Sequence, residues 1–170
     1  MEMFLEMGQG LQRVLYKLMD HAPAAQAIVT GSDAYPNVKG VVSFYPVSNG
    51  VTLSAEFEGL PTDGICPGPG QVFGFHIHEG GSCTGTAEMP FADAGGHYNP
   101  SKAPHPCHAG DMPPLFGWDG RAWLAFFDGR VRVQELLGKT VIVHRNPDDF
   151  TTQPSGNAGP MIACGVIRPA

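Results

Sequence analysis

The chain has 170 residues, enough for one domain with a buried core, and a formal net charge of −6 with its 10 lysines and arginines scattered along it. That balance argues against nucleic acid as a partner, and no apolar run is long enough to cross a membrane as a helix. With 23 glycines and 16 prolines, the composition favours short strands, turns and long ordered loops over a helical bundle.

In residues 2–19, Phe4, Met7, Leu11, Val14 or Leu15, and Leu18 fall at three- and four-residue spacing, which predicts an amphipathic helix. Asp20-His21-Ala22-Pro23 ends it, because proline disfavours helical geometry in the residue before it. Residues 1–23 therefore read as an appendage, or as a self-association helix that would make a homodimer, attached to a domain spanning 24–170. Glu2, Glu6, Arg13, Lys17 and Asp20 interrupt the apolar residues, so no signal peptide is expected and the cytoplasm is the expected compartment. Four cysteines do not decide between that and a periplasmic or extracellular location.

From Ala25 the hydrophobic period becomes two. AQAIVTG, KGVVSFYPV and VTLSAEFEGL read as strands separated by Gly, Asn and Pro turn signals, and close succession implies antiparallel pairing. VFGFHIHE is expected as a fourth strand, RAWLAFF as a fifth, and VRVQELLG as a short helix or a strand edge. GKTVIVH and MIACGVI close the sheet. Two loops, from Gly80 to about Gly117 and from Arg145 to about Pro160, exceed what connections need. Seven or eight short antiparallel strands with two long loops predict an all-β sandwich or flattened barrel, with the loops on its outer face.

The first of those loops and its flanks hold the chemistry. His76 and His78 are two apart on a strand and point to one face, with Ile77 on the other. Downstream, His97, His105, His108 and Asp111 offer three imidazoles and a carboxylate, a donor set for a four-coordinate metal. A lone His-x-His is usually an ordinary strand feature. Here six of seven histidines and an aspartate concentrate between 76 and 144, which points to metal.

These residues resemble the copper/zinc superoxide dismutase family in motif order and spacing over roughly residues 25–167. The matching pieces are GFHIHE, the segment bearing Cys83, GGHYNP, HAGD, TVIVH followed four residues later by Asp148, and GNAG…ACGVI. The resemblance implies a Greek-key sandwich and an oxidoreductase that disproportionates superoxide to O₂ and hydrogen peroxide by Cu(II)/Cu(I) cycling. It assigns copper to His76, His78, His97 and His144, and zinc to His97, His105, His108 and Asp111, with His97 as the shared bridge and a proton carrier. It makes Asp148 the carboxylate joining His76 to His105; without it, Asp148 reads as a solvated loop acid beside Asp149. It also implies a disulfide between Cys83 and Cys164, with two separate buried thiols as the alternative.

The sequence departs from the family pattern at the end of the second loop. Where an arginine usually attracts the anionic substrate, this chain reads Gly159-Pro160-Met161. Weakened steering is expected, with Lys102 or Arg145 either substituting for the missing cation or serving as ordinary surface charges. Cys66 and Cys107 also lie outside the pattern: they form a second disulfide, remain free thiols, or Cys107 competes as a zinc ligand. Two other functions use the same residues. A non-catalytic metal-binding or storage protein is favoured by Met161, and a zinc-only hydrolase would need an open zinc position.

Overall fold

The computed structural model of the chain describes residues 22–68 and 70–170. The amphipathic segment expected over residues 2–19 lies outside the described residues. Among the described residues, nine strands run β1 (Ala25–Gly31), β2 (Lys39–Val47), β3 (Gly50–Glu58), β4 (Gly70–Phe73), β5 (Phe75–His78), β6 (Leu115–Trp118), β7 (Arg121–Asp128), β8 (Thr140–His144) and β9 (Met161–Pro169). A one-turn helix, α1 (Val133–Leu136), precedes β8, so the ambiguous VRVQELLG resolves as helix.

All nine strands form one antiparallel sheet in the order β4-β6-β7-β3-β2-β1-β9-β8-β5. Its two edge strands, β4 and β5, are consecutive in the chain and separated only by Gly74. The sheet therefore curls into a nearly closed barrel. Gly74 donates its N–H to Asn146 O at 2.7 Å and accepts from the His144 N–H at 2.8 Å, which stitches the junction to the second loop. The expected fourth strand is thus two strands, each paired with a different neighbour: β4 with β6 and β5 with β8.

Alternation sorts residues as period two requires. Ala25, Ala27 and Val29 of β1, Val42 and Phe44 of β2, and Val51, Leu53, Ala55 and Phe57 of β3 enter the barrel core. Phe73, Phe75, Ile77 and Leu115 join them, with Phe57 and Phe75 in edge-to-face contact at 6.0 Å. β6 falls within the stretch expected to be loop. Its four residues alternate between the buried Leu115, the exposed Phe116 and Trp118, and a half-buried Gly117, and prolines precede it. The first loop consequently ends near Pro114.

A second, smaller core lies under that loop. Phe91, Ala94, Ile142 and Cys164 are buried together, with Cys83 and Met161 packed against them. The Cys83–Cys164 disulfide runs through this cluster across a sequence separation of 81 residues, with its Cα atoms 5.7 Å apart. It ties the loop to β9 on the side of the sheet away from the barrel core.

Candidate metal centre

β5 sends Phe75 and Ile77 into the core and leaves His76 and His78 on the opposite face. The loop after it folds back along its free edge. The Ile77 N–H donates to Gly110 O at 2.8 Å, the Tyr98 N–H to Ile77 O at 2.8 Å, and the Gly110 N–H to Tyr98 O at 2.8 Å. This makes His78 and His97, and His76 and Asp111, bridge partners. A side chain at Gly110 would overlap the Ile77 carbonyl oxygen and sit 2.9 Å from the Tyr98 nitrogen, so only glycine permits the approach. His144 ends β8 at an irregularity in the β8–β9 register between Val143 and His144, which re-aims its ring.

The result is two groups of four donors. His76, His78, His97 and His144 offer ring nitrogens within 4.8 Å of one another, as do His97, His105, His108 and Asp111 through nitrogens and a carboxylate oxygen. All seven residues are buried, and His97 belongs to both groups. Its Nδ1 lies 2.7 Å from Asp111 Oδ1 and 3.4 Å from His108 Nδ1, whereas its Nε2 is buried without a hydrogen-bond partner.

Surrounding hydrogen bonds fix which nitrogen each ring offers. His78 Nδ1–H donates to Gly95 O at 2.8 Å and His144 Nδ1–H to Gly159 O at 3.0 Å. Both Nε2 atoms therefore present lone pairs, and they face each other at 3.3 Å. Two facing lone pairs repel unless a cation lies between them. His76 and His105 donate from Nε2 to Asp148 Oδ2 at 2.8 Å and Oδ1 at 2.9 Å, leaving both Nδ1 atoms buried without hydrogen-bond partners. The orphaned nitrogens and the acceptor-only pair all fit a metal ion in each group.

Asp148 thus joins one histidine of each group, and Phe150 N–H also donates to its Oδ1 at 2.7 Å. Gly156 stands over this bridge at φ +69°, and a methyl there would lie 2.6 Å from His105 Nε2 and overlap Asp148 Oδ1. Burial, reinforced by the neighbouring imidazoles, pushes His78 down to about 3. Burial also pushes His144 down to about 4, and it lowers His76 as well, so these rings are neutral donors near pH 7. Burial pushes the Asp111 carboxyl up, but hydrogen bonds from His97 and the His108 N–H, with their charges, outweigh it and hold the group below the usual range.

Two residues that carry no motif complete the support. Arg130 donates from its guanidinium to His108 O at 2.9 Å and Asp111 O at 2.6 Å while paired with Asp128 at 2.8 Å. Gln153 clamps the His105 backbone, accepting from its N–H at 3.0 Å and donating to its carbonyl at 2.7 Å. Both act across long sequence separations, so no local pattern announces them. Of the readings open for Cys66 and Cys107, the structure shows free thiols and no second disulfide. The Cys66 backbone is held by Gln71 of β4, its N–H donating to Gln71 Oε1 at 3.4 Å and its carbonyl accepting from Gln71 Nε2 at 3.1 Å, while Cys107 is exposed in the metal loop, and both are free thiols. Cys107 also stands outside both donor groups.

A cavity of about 510 Å³ opens over His78, His97 and His144 and is flanked by Glu88, Met89, Pro160 and Met161. No lysine or arginine is among its described lining residues. Arg145 turns instead to Asp63, bonding its carbonyl and reaching its carboxylate at 3.3 Å. Lys102, exposed in the loop, does not line the cavity either.

Two adjacent buried donor groups that share one imidazole are suited to a pair of metal ions, here carried on the outside of an antiparallel barrel. The chain belongs to the copper/zinc superoxide dismutase family, whose model matches residues 38–167. It is 34% identical to superoxide dismutase [Cu-Zn] 2 of Aquifex aeolicus, over 77% of this chain and 80% of that protein. It is 32% identical to superoxide dismutase [Cu-Zn] of Deinococcus radiodurans, over 80% of each. The extracellular superoxide dismutase [Cu-Zn] of Rattus norvegicus is 31% identical over 78% of this chain and 55% of its own length.

Proposed function

We propose that the protein disproportionates superoxide to O₂ and hydrogen peroxide, with copper held by His76, His78, His97 and His144 and zinc by His97, His105, His108 and Asp111. The observation that carries this reading is His97, which belongs to both donor groups and whose Nδ1 lies 2.7 Å from Asp111 Oδ1 while its Nε2 is buried without a hydrogen-bond partner. Four imidazoles without a thiolate suit copper, and three imidazoles with a carboxylate suit redox-inert zinc. Copper, when bound, supplies one-electron chemistry by alternating between Cu(II) and Cu(I). The chain's own residues set the stage for it. The Gly95 and Gly159 carbonyls lock the tautomers of His78 and His144; Asp148 locks those of His76 and His105. His97, a cavity-lining residue whose Nε2 is buried without a hydrogen-bond partner, would hold a proton and release it to the reduced product.

The cavity admits a small anion to the four imidazoles that line it, those of His78, His97, His108 and His144, but only Glu88 among its lining residues carries a full side-chain charge at neutral pH besides any on the histidines. Local positive potential is therefore left to the metals, and steering is weakened relative to a site with a cation at its rim. A storage role on the same scaffold has no need of a bridge between the two groups. Metal analysis of purified protein with superoxide turnover in the same preparation tests the reading. Copper with turnover is the expected result; copper without turnover, or zinc alone with a hydrolytic activity, would overturn it.

The residue division at 24, a homodimer and a cytoplasmic location complete the proposal. A dimer is supported by Phe116, Trp118, Trp123 and Ile28, large apolar side chains more than half exposed on the outer face of the sheet. Sedimentation of the full chain beside a chain beginning at Ala24 separates this face from the N-terminal segment as the contact. No described helix is long and apolar enough to cross a membrane. The Cys83–Cys164 disulfide is of a kind that persists in oxidising compartments, and cell fractionation decides between these and the cytoplasm.

A further inference from the structure

The cavity over the all-imidazole group is flanked by two thioethers. Met161 opens β9 and is the register partner of His144, so its side chain starts within one cross-strand step of that ring. Met89, 60% exposed, lines the same cavity, its backbone fixed in a turn by the Met89 N–H to Thr86 Oγ1 bond at 3.1 Å and the Thr86 N–H to Met89 O bond at 3.0 Å. Glu88, beside it, adds a carboxylate to the same rim. A rim with soft sulfur, negative charge and no cation is poorly made for drawing in an anion. It is well made for drawing in a soft monovalent cation, because thioethers prefer Cu(I) to Zn²⁺ and carry no proton to displace.

We propose that Met89 and Met161 form a thioether landing site for Cu(I), which passes the ion to His78 and His144 below it. This rests on the assignment of copper to the all-imidazole group. The transfer is ligand exchange alone: sulfur–copper bonds break as nitrogen–copper bonds form, no electron moves, and no proton leaves. The receiving nitrogens are already lone pairs, since the ring hydrogens of His78 and His144 are held by the Gly95 and Gly159 carbonyls. The same selectivity keeps zinc from lingering over the copper position. Met161 also packs against the small core of Ile142 and Cys164, so its replacement must keep apolar volume.

The test compares the full-length metal-free protein with Met89→Leu, Met161→Leu and the double variant. Anaerobic uptake of Cu(I) from a coloured bicinchoninate complex should slow roughly tenfold or more in the double variant. Uptake of Cu(II) from a glycine complex and of Zn²⁺ should not change. Equal Cu(I) rates, or equal slowing for all three ions, would overturn the proposal. Ag(I), a redox-inert stand-in for Cu(I), gives a second readout by NMR. One equivalent should shift two of the seven methionine methyl signals, those lost in the two leucine variants, together with histidine ring signals. Histidine shifts without methionine shifts refute the landing site and leave the copper assignment standing; no histidine shift refutes the copper assignment itself.

Discussion

Replacing Asp148 with asparagine should weaken the copper group and spare the zinc group. Asp148 Oδ1 accepts two hydrogens, from His105 Nε2 at 2.9 Å and the Phe150 backbone at 2.7 Å, whereas Oδ2 accepts one, from His76 Nε2 at 2.8 Å. An asparagine keeps both of the first by placing its single carbonyl oxygen at the Oδ1 position. Its NH₂ then faces His76 Nε2, donor against donor. The remedy is for His76 to move its hydrogen to Nδ1, and Nδ1 is the buried, unpartnered nitrogen that completes the all-imidazole group. The loss should resemble that of other residues supporting metal ligands, about 10- to 100-fold in copper affinity, or about 1.4–2.7 kcal/mol. Competition titrations with chelators of known strength measure each metal separately. Zinc affinity should change less than about threefold, well under the range for a disrupted ligand. Zinc falling as far as copper, or neither falling, would refute the tautomer argument. Asp148→Ala serves as the contrast, because it removes both acceptors and should weaken both metals.

Met161→Arg places a cation on the cavity rim, so kcat/KM for superoxide should rise about tenfold at low salt and fall more steeply as salt is added; no change in either quantity sinks the steering account. Cys83→Ser opens an 81-residue link, and by chain entropy the unfolding free energy in denaturant should drop by about 4.5 kcal/mol, a loss under about 1 kcal/mol contradicting the estimate. Arg130→Ala leaves the His108 and Asp111 carbonyls and the Asp128 carboxylate without their charged donor. Chemical denaturation should register a loss of about 3 kcal/mol, with faster zinc release to a chelator, and an unchanged midpoint would show that the loop is held by other means.

The barrel was readable wherever a strand is long enough to show its period. AQAIVTG and KGVVSFYPV coincide with β1 and β2 residue for residue, because seven to nine alternating positions with turn residues at each end leave little choice. β6 was hidden for the opposite reason. Four residues between prolines and a turn, two of them aromatic and facing outward, carry too few alternations to stand out from a loop. Gly74 divides one apparent strand into two because the barrel changes neighbours there, a fact about closure that no single segment contains. The histidines were legible since metal donors are rare residue types held at fixed intervals. Arg130 and Gln153 were not, for their importance comes from main-chain carbonyls and amides delivered by distant loops. Cys66 and Cys107 stayed open between a second disulfide and free thiols, because the sequence does not say where folding puts each thiol; the structure leaves both free.

β5 is only four residues long, yet Phe75 and Ile77 belong to the hydrophobic interior while His76 and His78 belong to the metal face. A slip of one residue against β8 would bury two imidazoles in oil and expose two apolar side chains to the donors, spoiling both at once. Correct threading and correct ligand display are therefore a single event, and a molecule that has taken up its metals has already been proofread.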